Sequence, residues 1–451
     1  MTAYLLCATP FQGHVAPVLE VGRRLVAAGH RVAVLTGSRF GEDVRRIGAE
    51  HRALDGPADF DDRAPEDLLP DRARYRGLAR FEYDLIQAFA TPLPAQSKSL
   101  DAAIAEVRPA AVLAEPGFTG VLPLLQRDRP TRPPVLGLGV IPLAQVSVDT
   151  APFGLGLRPT RSALGRARNR ALNALVTRVL FARLAKLVDA ELVELGGHPL
   201  EGFALDPSRL YDRYLQLSAE SFEYSRSDLS DNVRFVGAVL PGTTAPAALP
   251  SWWDDLDGSR PVVHVTQGTL DNQDFARLVR PTIDALADRW CTLVVSTGGR
   301  PIEELGSLPG NVRAAEFLPY AELLPKTDVM ITNGGFGGVQ QALAHGVPLI
   351  VAGETEDKPE VAARVAHAGA GVNLRTGTPS PNRIEGAFDR VMRRPAYRER
   401  AAALAVELAA HDAPAAIAAE LEAAATGLPP TPLHTTERRS SRLNCRQFGI
   451  P

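Results

Sequence analysis

The stretch Ile331-Thr332-Asn333-Gly334-Gly335-Phe336-Gly337-Gly338-Val339-Gln340-Gln341 joins an apolar run to a cluster of glycines. The apolar run predicts a strand, and residues 339–345 favour a helix directly after the glycines. Pro348-Leu349-Ile350-Val351 then predicts the following strand. The order of strand, glycine turn, helix and strand is typical of a parallel α/β sheet, so this unit decides how the rest of the chain is interpreted.

Two interpretations of the glycine cluster are compatible with its sequence. Glycines at a strand-to-helix turn let backbone N–H groups approach an anion closely, and the helix N-terminus adds the positive end of its dipole at the same place. The turn would then be a diphosphate site built mostly from main chain. Alternatively, the glycines only relieve crowding in a tight turn. A glycine-rich loop by itself does not distinguish the two.

The length and composition of the chain limit the classes of function. A chain of 451 residues is too long for one ordinary hydrophobic core and predicts two or three domains. Apolar residues make up 45% and charged residues 22%, which is the balance of a globular protein. The net charge of −3 gives no basic footprint for nucleic acid, and no apolar run is long enough to cross a bilayer. We therefore expect neither a nucleic-acid partner nor a membrane span.

The N-terminus and the cysteines indicate the compartment. The N-terminal residues lack a basic region and predict a buried first strand instead of a signal peptide. Cys7, Cys291 and Cys445 are far apart and have the spacing of neither a disulfide framework nor a zinc site. We expect a cytoplasmic protein that is a monomer or a homodimer.

The first half of the chain opens with a βαβ unit. Residues 4–8 predict a strand, residues 9–14 a loop and residues 17–28 a helix with its apolar residues on one face. Residues 31–36 predict the second strand. A further buried strand is expected at residues 110–114, directly before an acidic residue. This pattern is the opening of a doubly wound parallel sheet.

A stretch rich in proline, alanine and threonine separates this half from a second one in which strands and helices alternate again. In this second half, residues 274–287 predict a helix and residues 384–425 a last helical region. We predict an N-terminal Rossmann-like domain at residues 1–240, a linker at 241–255 and a C-terminal Rossmann-like domain at 256–425. The last helix of the second domain is a candidate to pack back on the first. Residues 426–451 lack periodicity and are expected to be disordered. Because parallel sheets bind ligands at the carboxyl ends of their strands, two facing halves would form a cleft with one ligand site in each.

Five short stretches, each weak alone, form a specific set in order and spacing. They are Phe11-Gln12-Gly13-His14-Val15-Ala16-Pro17, Val265-Thr266-Gln267-Gly268-Thr269, Glu316-Phe317-Leu318-Pro319-Tyr320, the glycine stretch and Gly353-Glu354-Thr355-Glu356-Asp357-Lys358. With them the chain resembles the family 1 nucleotide-sugar-dependent glycosyltransferases of GT-B fold, in the bacterial branch that modifies macrolides and other small natural products. The resemblance covers most of the chain up to about Leu421 and is strongest over residues 262–374.

His14 is the candidate catalytic base. It follows a glycine near the end of the first strand, where a parallel sheet opens its cleft, and an unperturbed histidine titrates near neutral pH. The resemblance implies the same role; the alternative is a helix-capping or surface histidine. Glu115, after the strand at 110–114, matches the acid that orients this histidine in the family, although aspartate is commoner there. The alternative is a solvated turn acid.

The donor diphosphate is expected on the second half. The backbone amides of Gly334, Gly335, Phe336, Gly337 and Gly338, with the helix dipole behind them, could neutralise it without a metal. The remaining candidates implied by the resemblance are side chains with a polar group near the donor.

Thr269 could donate a hydroxyl from the facing loop, or simply form a turn. Asn333 stands where the family usually has histidine; its amide can donate to a phosphate oxygen but carries no charge. Gln341 stands where the family often has a glutamate that holds the ribose hydroxyls, and its alternative is an exposed helix glutamine.

Two further segments resemble parts of the donor site. Phe317 and Leu318 match the segment that packs the base, where an aromatic ring would stack on uracil or thymine; without the resemblance, Phe317 would be a core residue at the end of a strand. Asp357 and Lys358 align with the pair of an acid and a glutamine that holds the sugar hydroxyls. The lysine departs from that pattern because it cannot accept a hydrogen bond, and this departure favours a sugar other than glucose. The alternative is a solvated loop.

Metal binding is not expected. Two Asp-x-Asp triplets occur, Asp59-Phe60-Asp61 and Asp255-Leu256-Asp257, and such triplets hold manganese in the other large glycosyltransferase fold. Both lie in polar loops and not at the strand end of a nucleotide site. We therefore expect no metal and no cofactor besides the donor substrate.

The sequence thus predicts an inverting glycosyltransferase that moves a sugar from a UDP- or TDP-sugar to a hydroxyl of a lipophilic natural-product aglycone. Two alternatives remain open: a nucleotide-sugar epimerase, which needs no acceptor, and a non-catalytic auxiliary protein of GT-B type. A dinucleotide oxidoreductase is disfavoured because no Gly-x-Gly-x-x-Gly follows the first strand.

Overall fold

The computed structural model describes residues 1–203, 206–240, 249–269 and 271–428, and its strands form two parallel sheets. The first sheet contains β1 (Ala3–Cys7), β2 (Arg31–Thr36), β3 (Glu50–Ala53), β4 (Ala111–Ala114), β5 (Val135–Gly139), β6 (Arg213–Gln216) and β7 (Val233–Phe235). The second contains β8 (Val262–Thr266), β9 (Thr292–Ser296), β10 (Val312–Ala315), β11 (Val329–Thr332), β12 (Leu349–Val351) and β13 (Gly371–Asn373). Every residue of β4, β5, β8, β9, β11 and β12 is buried, because helices cover both faces of each sheet.

Both sheets are doubly wound. The strand order is β3-β2-β1-β4-β5-β6-β7 in the first and β10-β9-β8-β11-β12-β13 in the second, and all paired strands run parallel. The direction of winding reverses between β1 and β4, and again between β8 and β11. At such a switch point the loops after the two strands diverge and leave a crevice at their carboxyl ends. The predicted α/β fold with two parallel-sheet units is therefore confirmed.

Helices of different length connect these strands. They are α1 (Gln12–Ala27), α2 (Gly41–Arg46), α3 (Pro65–Leu68), α4 (Gly77–Leu85), α5 (Leu93–Val107), α6 (Leu122–Leu125), α7 (Ala163–Leu175), α8 (Ala182–Glu194), α9 (Val279–Leu286), α10 (Tyr320–Leu323), α11 (Phe336–Ala344), α12 (Lys358–Ala368), α13 (Pro381–Arg393), α14 (Pro395–Ala409) and α15 (Ala413–Ala425). Two π-helical turns, Ile86–Ala90 and Val176–Leu180, extend α4 and α7.

Three helices begin elsewhere than predicted. Helix α1 begins at Gln12 and contains Pro17, so the predicted loop over residues 9–14 is wrong from Gln12 onward. The proline suggested a helix start, but it lies within the helix. Helix α11 begins at Phe336, so the glycines after it belong to its first turn. Helix α9 begins at Val279 and not near residue 274, because the side chain of Gln267 accepts hydrogen bonds from the N–H groups at its start.

The C-terminal end of the described chain returns to the first sheet. The predicted helical region over residues 384–425 is divided into α13, α14 and α15, and Asp412 caps the last of these. Ile417, Ala418 and Leu421 of α15 belong to the hydrophobic core that also contains residues of β1 and α1. Most of the predicted linker, residues 241–248, and nearly all of the predicted tail, residues 429–451, lie outside the described residues.

One helical stretch of the described chain, Pro395–Ala425, is long and apolar enough for a membrane span by length and composition. Buried helices of globular proteins meet the same criterion. In this structure the stretch consists of α14 and α15, and its buried residues contact one core in each half of the chain. The expected absence of a membrane span stays a prediction.

Candidate active site

The first switch point brings together His14, in the first turn of α1, and Glu115, directly after β4. His14 Nδ1 lies 2.7 Å from Glu115 Oε2. The buried Glu115 also accepts hydrogen bonds from the backbone N–H groups of Thr9, at 2.9 Å, and Gly117, at 2.7 Å. Glu115 is therefore not a solvated turn acid. Because Nδ1 donates to the carboxylate, His14 Nε2 is the nitrogen that can accept a proton.

The electrostatics of this pair favour an ionised Glu115. Burial is the largest single cause and lowers the pKa of His14, but the charge of Glu115, their hydrogen bond and the charges of Asp357 and Glu356 together raise it by more, so the net pKa lies above the ordinary value of 6.5. Burial alone would raise the pKa of Glu115; His14 and the two amide donors lower it below its ordinary value. The arrangement holds an imidazole in one tautomer and stabilises the imidazolium that forms when it takes a proton.

Three phenylalanines form an apolar wall beside this histidine, although no pattern in the sequence groups them. The ring of Phe11 is 5.6 Å from that of His14, 5.0 Å from Phe60 and 6.4 Å from Phe89, measured between centroids. All three are partly exposed. A Cβ at Gly117 would lie 3.0 Å from Phe89 and 3.1 Å from His14. Glycine at this position therefore lets Phe89 pack closely against the His14–Glu115 pair. We name Phe11, Phe60 and Phe89 the aromatic wall.

The second switch point holds the glycine stretch. Gly334 has φ +93°, and a Cβ there would lie 2.7 Å from a side chain of β12. Gly335 precedes α11, and no side chain caps that helix. Since the first amides of a helix have no intrahelical acceptor, the N–H groups of Phe336, Gly337 and Gly338 can bind an anion at this point. The predicted amides of Gly334 and Gly335 instead donate within the turn, to Thr332 Oγ1 at 3.1 Å and to Asn333 Oδ1 at 3.4 Å.

The loop after β8 packs against the same turn. The buried side chain of Asn333 donates its amide N–H to the carbonyl of Gln267 and accepts from the N–H of Gly335 at 3.4 Å. One hydrogen of the Asn333 amide is therefore used within the protein. Thr269 lies exposed in the neighbouring loop. Gln341 is partly exposed on α11.

The segment with Asp357 and Lys358 lies directly against the glycine stretch. A Cβ at Gly353 would lie 2.0 Å from the carbonyl oxygen of Asn333, so only glycine permits this approach of the two loops. Lys358 is 4% exposed and forms an ion pair with Glu356, which has φ +54°. Lys358 is therefore not part of a solvated loop, which was the alternative interpretation of this segment.

The charge of Asp357, in the second half, acts on His14, in the first half. Burial raises the pKa of Asp357 to about 6, against the opposing charge of Lys358. The charges of Asp357 and Glu356 in turn contribute to the raised pKa of His14. The charges of the loop after β12 therefore act on the histidine in the first turn of α1.

Phe317 is 66% exposed and is not the core residue of the alternative interpretation. Its ring lies against Gly299, where a Cβ would be 2.7 Å from Phe317 Cζ. The next residue, Leu318, is buried in a small apolar core beneath β8 and β9. The tip of the Phe317 ring thus contacts the main chain at Gly299, while most of the ring is exposed and can stack on another ring.

Solved structures share the fold of this chain. The crystal structure of the glycotransferase of kitacinnamycin superimposes with a TM-score of 0.70 at 23% identity, and the match covers 95% of this chain and 99% of that one. At this level of identity the similarity shows the fold, and the predicted GT-B architecture is confirmed.

Residues 280–424 match the family described as erythromycin biosynthesis protein CIII-like, C-terminal domain. The 4'-demethylrebeccamycin synthase of Lentzea aerocolonigenes is 40% identical over 410 residues, which cover 91% of this chain and 96% of that protein. This chain belongs to the family 1 glycosyltransferases. The UDP-glycosyltransferase 2 of Phaeomoniella chlamydospora is 37% identical over 434 residues, with 93% and 94% coverage. The predicted resemblance and enzyme class are confirmed, and nothing in these similarities supports the epimerase or the non-catalytic alternative.

The two Asp-x-Asp triplets of the glycosyltransferase have other partners. Asp59 accepts from the N–H and hydroxyl groups of Ser38, and Asp61 pairs with Arg63. Asp255 pairs with an arginine, and Asp257 caps a turn. Within the described ranges, no group of three or more His, Cys, Asp or Glu side chains could hold a metal ion.

A buried cluster of charges joins the two halves of the glycosyltransferase beside the site. Arg364 Nε lies 2.7 Å from Glu223 Oε1, and Arg364 Nη1 lies 2.6 Å from Glu360 Oε2. Arg226 Nη1 lies 3.3 Å from the same oxygen of Glu223. Glu360 also accepts two backbone N–H groups of the loop at residues 154–156, at 2.9 and 2.8 Å. We name these four side chains the interface ion cluster; α12, which carries two of them, begins at the candidate sugar-binding Lys358.

Proposed function

We propose that this glycosyltransferase inverts the anomeric centre and that His14 is its general base. The observation that carries the proposal is the His14–Glu115 pair, which faces Asp357 of the other half across the cleft. His14 Nε2 takes the proton of an acceptor hydroxyl as the hydroxyl oxygen bonds to the anomeric carbon. The bond from that carbon to the β-phosphate oxygen breaks with its electron pair leaving on the diphosphate. Attack opposite the leaving group inverts the configuration, and His14 then releases its proton to water.

In this proposal the donor lies on the second half. The N–H groups of Phe336, Gly337 and Gly338 hold the diphosphate and stabilise the charge that it gains on departure. Phe317 stacks on the base, and Asp357 and Lys358 bind the sugar hydroxyls. No metal takes part, because main-chain dipoles supply the electrophilic stabilisation. The donor is a UDP- or TDP-sugar; the name of one relative, UDP-glycosyltransferase 2, supports the first.

The proposed acceptor is a lipophilic natural-product aglycone that contains an aromatic ring. The aromatic wall offers Phe11, Phe60 and Phe89 to such a ring, next to the base that would deprotonate its hydroxyl. The relative named 4'-demethylrebeccamycin synthase supports a natural-product acceptor.

A donor panel tests this function. UDP- and TDP-sugars are incubated with a library of aromatic and aliphatic aglycones, with and without EDTA, and the products are identified by mass spectrometry and their anomeric configuration by NMR. We expect an inverted glycoside, formed with an aromatic acceptor and unaffected by EDTA. Conversion of a donor in the absence of any acceptor, retention of configuration or loss of turnover in EDTA would contradict the proposal.

Gly337→Asp tests the diphosphate position. Gly337 is exposed in the first turn of α11, and a Cβ there meets no atom within 4 Å, so the variant should fold normally. A carboxylate at a helix N-terminus stabilises the helix but repels the donor diphosphate. We expect the dissociation constant for UDP or TDP, measured by calorimetry, to rise by about thirtyfold while the melting temperature holds or increases.

Gly337→Asn is the matched control, because it has nearly the shape of aspartate without its charge. The asparagine variant should bind the nucleotide within a few-fold of the parent. Equal weakening by both variants would indicate a steric effect, and no weakening by aspartate would place the diphosphate elsewhere.

Phe317→Ala tests stacking on the base. Phe317 is exposed, so its truncation should leave the melting temperature unchanged, while the loss of one stacked ring weakens nucleotide binding by about tenfold. Trp290→Ala is the control, since Trp290 is an aromatic residue of the same half that is 69% exposed. Unchanged nucleotide affinity of Phe317→Ala, or an equal loss in Trp290→Ala, would argue against this contact.

We also propose that the enzyme works in the cytoplasm as a monomer or a homodimer. Cys7 and Cys291 are buried free thiols, which supports a reducing compartment. Cell fractionation and light scattering measure the two properties.

A further inference from the structure

Residues 158–195 form a strongly basic helical segment on the surface of the first half. Between positions 158 and 188 the sequence has eight lysine and arginine residues and no acidic residue, in a chain whose net charge is −3. The structure places residues 163–194 in α7, the π-helical turn after it and α8, so two of the eight cations precede α7. Three acidic residues, Asp189, Glu191 and Glu194, follow the last cation at the end of α8. We name residues 158–195 the basic helical segment.

The charges of this segment are largely uncompensated. Arg166 pairs with Asp149 at 2.8 Å. In the part of the chain that the structure describes, the other seven cations form no salt bridge with an acidic side chain. Arg168, Arg170, Arg178 and Lys186 are all exposed to solvent. The positive electrostatic potential of the segment therefore extends into solvent and can attract an anionic surface.

The same surface also exposes large apolar side chains, which a merely solvated face would not require. Leu164 is 83% exposed and Val179 63% exposed, and Leu175 and Val193 are exposed as well. On α7, Leu164 and Leu175 lie on one stripe with Arg168, at the helical spacing of four and seven residues. Helix α7 has one buried residue, Asn169, so nearly the whole helix stands free of the core.

We propose that the basic helical segment binds the surface of an anionic phospholipid membrane. Cations interleaved with exposed leucine and valine are the pattern of interfacial helices, whose apolar side chains enter the headgroup boundary while the cations bind phosphates. A second copy of this chain is a poor occupant, because a two-fold contact through this face would place the same cations against one another.

The position of the segment links the membrane to the acceptor side of the enzyme. Phe181, between the two helices, contacts Phe81 of α4, with ring centroids 5.9 Å apart. The chain after α4 leads directly to Phe89 of the aromatic wall. A lipophilic compound dissolved in the bilayer would therefore lie near the side from which the acceptor enters. Membrane binding itself does not depend on the proposed acceptor.

Sedimentation with lipid vesicles tests the proposal. The full chain is mixed with vesicles of phosphatidylcholine alone, or of phosphatidylcholine with phosphatidylglycerol. We expect binding to the anionic vesicles that weakens as salt is added, and little binding to the neutral ones. Arg170→Gln with Arg178→Gln should weaken binding to anionic vesicles by about thirtyfold, since each surface cation contributes roughly fivefold. Leu164→Ser with Val179→Ser should weaken it without altering the salt dependence.

Arg390→Gln with Arg394→Gln is the matched control, because both are exposed arginines of the second half. This control should sediment like the parent, and all variants should keep the circular dichroism spectrum and the turnover of a soluble acceptor. Equal sedimentation with neutral and anionic vesicles, no sedimentation with either, or an equal loss in the control would overturn the proposal. Tight binding to heparin or DNA without vesicle binding would assign the segment to another polyanion and overturn it as well.

Discussion

Replacing His14 with alanine should lower kcat/KM by about a thousandfold, because the acceptor hydroxyl then has no group to receive its proton. His14 is the residue whose ring reaches the cleft while its other nitrogen is held by Glu115. Its removal should leave the dissociation constant for the nucleotide unchanged, since the proposed donor contacts come from the second half. Steady-state kinetics and calorimetry on the same preparation measure the two quantities.

His198→Ala is the control for this substitution, because His198 is an exposed histidine in a loop of the same half. The control should keep full turnover. A His14→Ala enzyme with more than a tenth of the parental kcat/KM would remove His14 from the mechanism. A parallel loss of nucleotide binding would indicate structural damage, and the melting temperature would reveal it.

Glu115→Gln should lower kcat/KM by at least about a hundredfold and also move its pH dependence. In the parent, protonated His14 is inactive as a base, so activity should fall as the pH drops through a His14 pKa that lies above 6.5. Glutamine removes the charge that raises this pKa and leaves the burial that lowers it. The acidic limb of the profile should therefore shift to lower pH while the plateau falls.

The plateau falls because an amide cannot replace this carboxylate. Glu115 accepts from His14, Thr9 and Gly117, whereas the NH₂ group of glutamine donates. If it donates to His14 Nδ1, the ring carries its proton on Nε2 and cannot accept another. Glu20→Gln on α1 removes a carboxylate outside the cleft and serves as the control. An acidic limb that stays in place in Glu115→Gln would separate Glu115 from the titration of His14.

The fold could be predicted from the sequence because its signals are local. Apolar runs punctuated by glycine and proline define β8, β11 and β12, and the helices that cover a parallel sheet must follow such strands. Helix starts were less accurate because they depend on distant atoms. Helix α9 begins where the side chain of Gln267 accepts its first N–H groups, and this contact between the β8 loop and the helix has no signature in the sequence of the helix.

The site was predictable where a motif stands at a strand end. His14 and Glu115 follow β1 and β4, which are neighbours in the sheet, and the glycine stretch follows β11. The aromatic wall was not predictable, since Phe60 lies in a connection without periodicity and Phe89 lies in a π-helical turn that departs from the α-helical period. The interface ion cluster was missed for a related reason: Glu360 and Arg364 have the appearance of a solvated helix face, and only the fold supplies the buried partner Glu223.

The interface ion cluster also restricts how this enzyme can be recombined with its relatives. A chimera that keeps the first half and takes a foreign second half to change the sugar would separate Glu223 and Arg226 from the residues at positions 360 and 364. If the foreign half lacks the matching charge, a buried ionised side chain loses its partner, and the free energy of unfolding falls by about 3–5 kcal/mol. Functional chimeras should therefore take positions 154–156, 223 and 226 from the same parent as α12. Chimeras that combine these positions and α12 from different parents should be mostly insoluble.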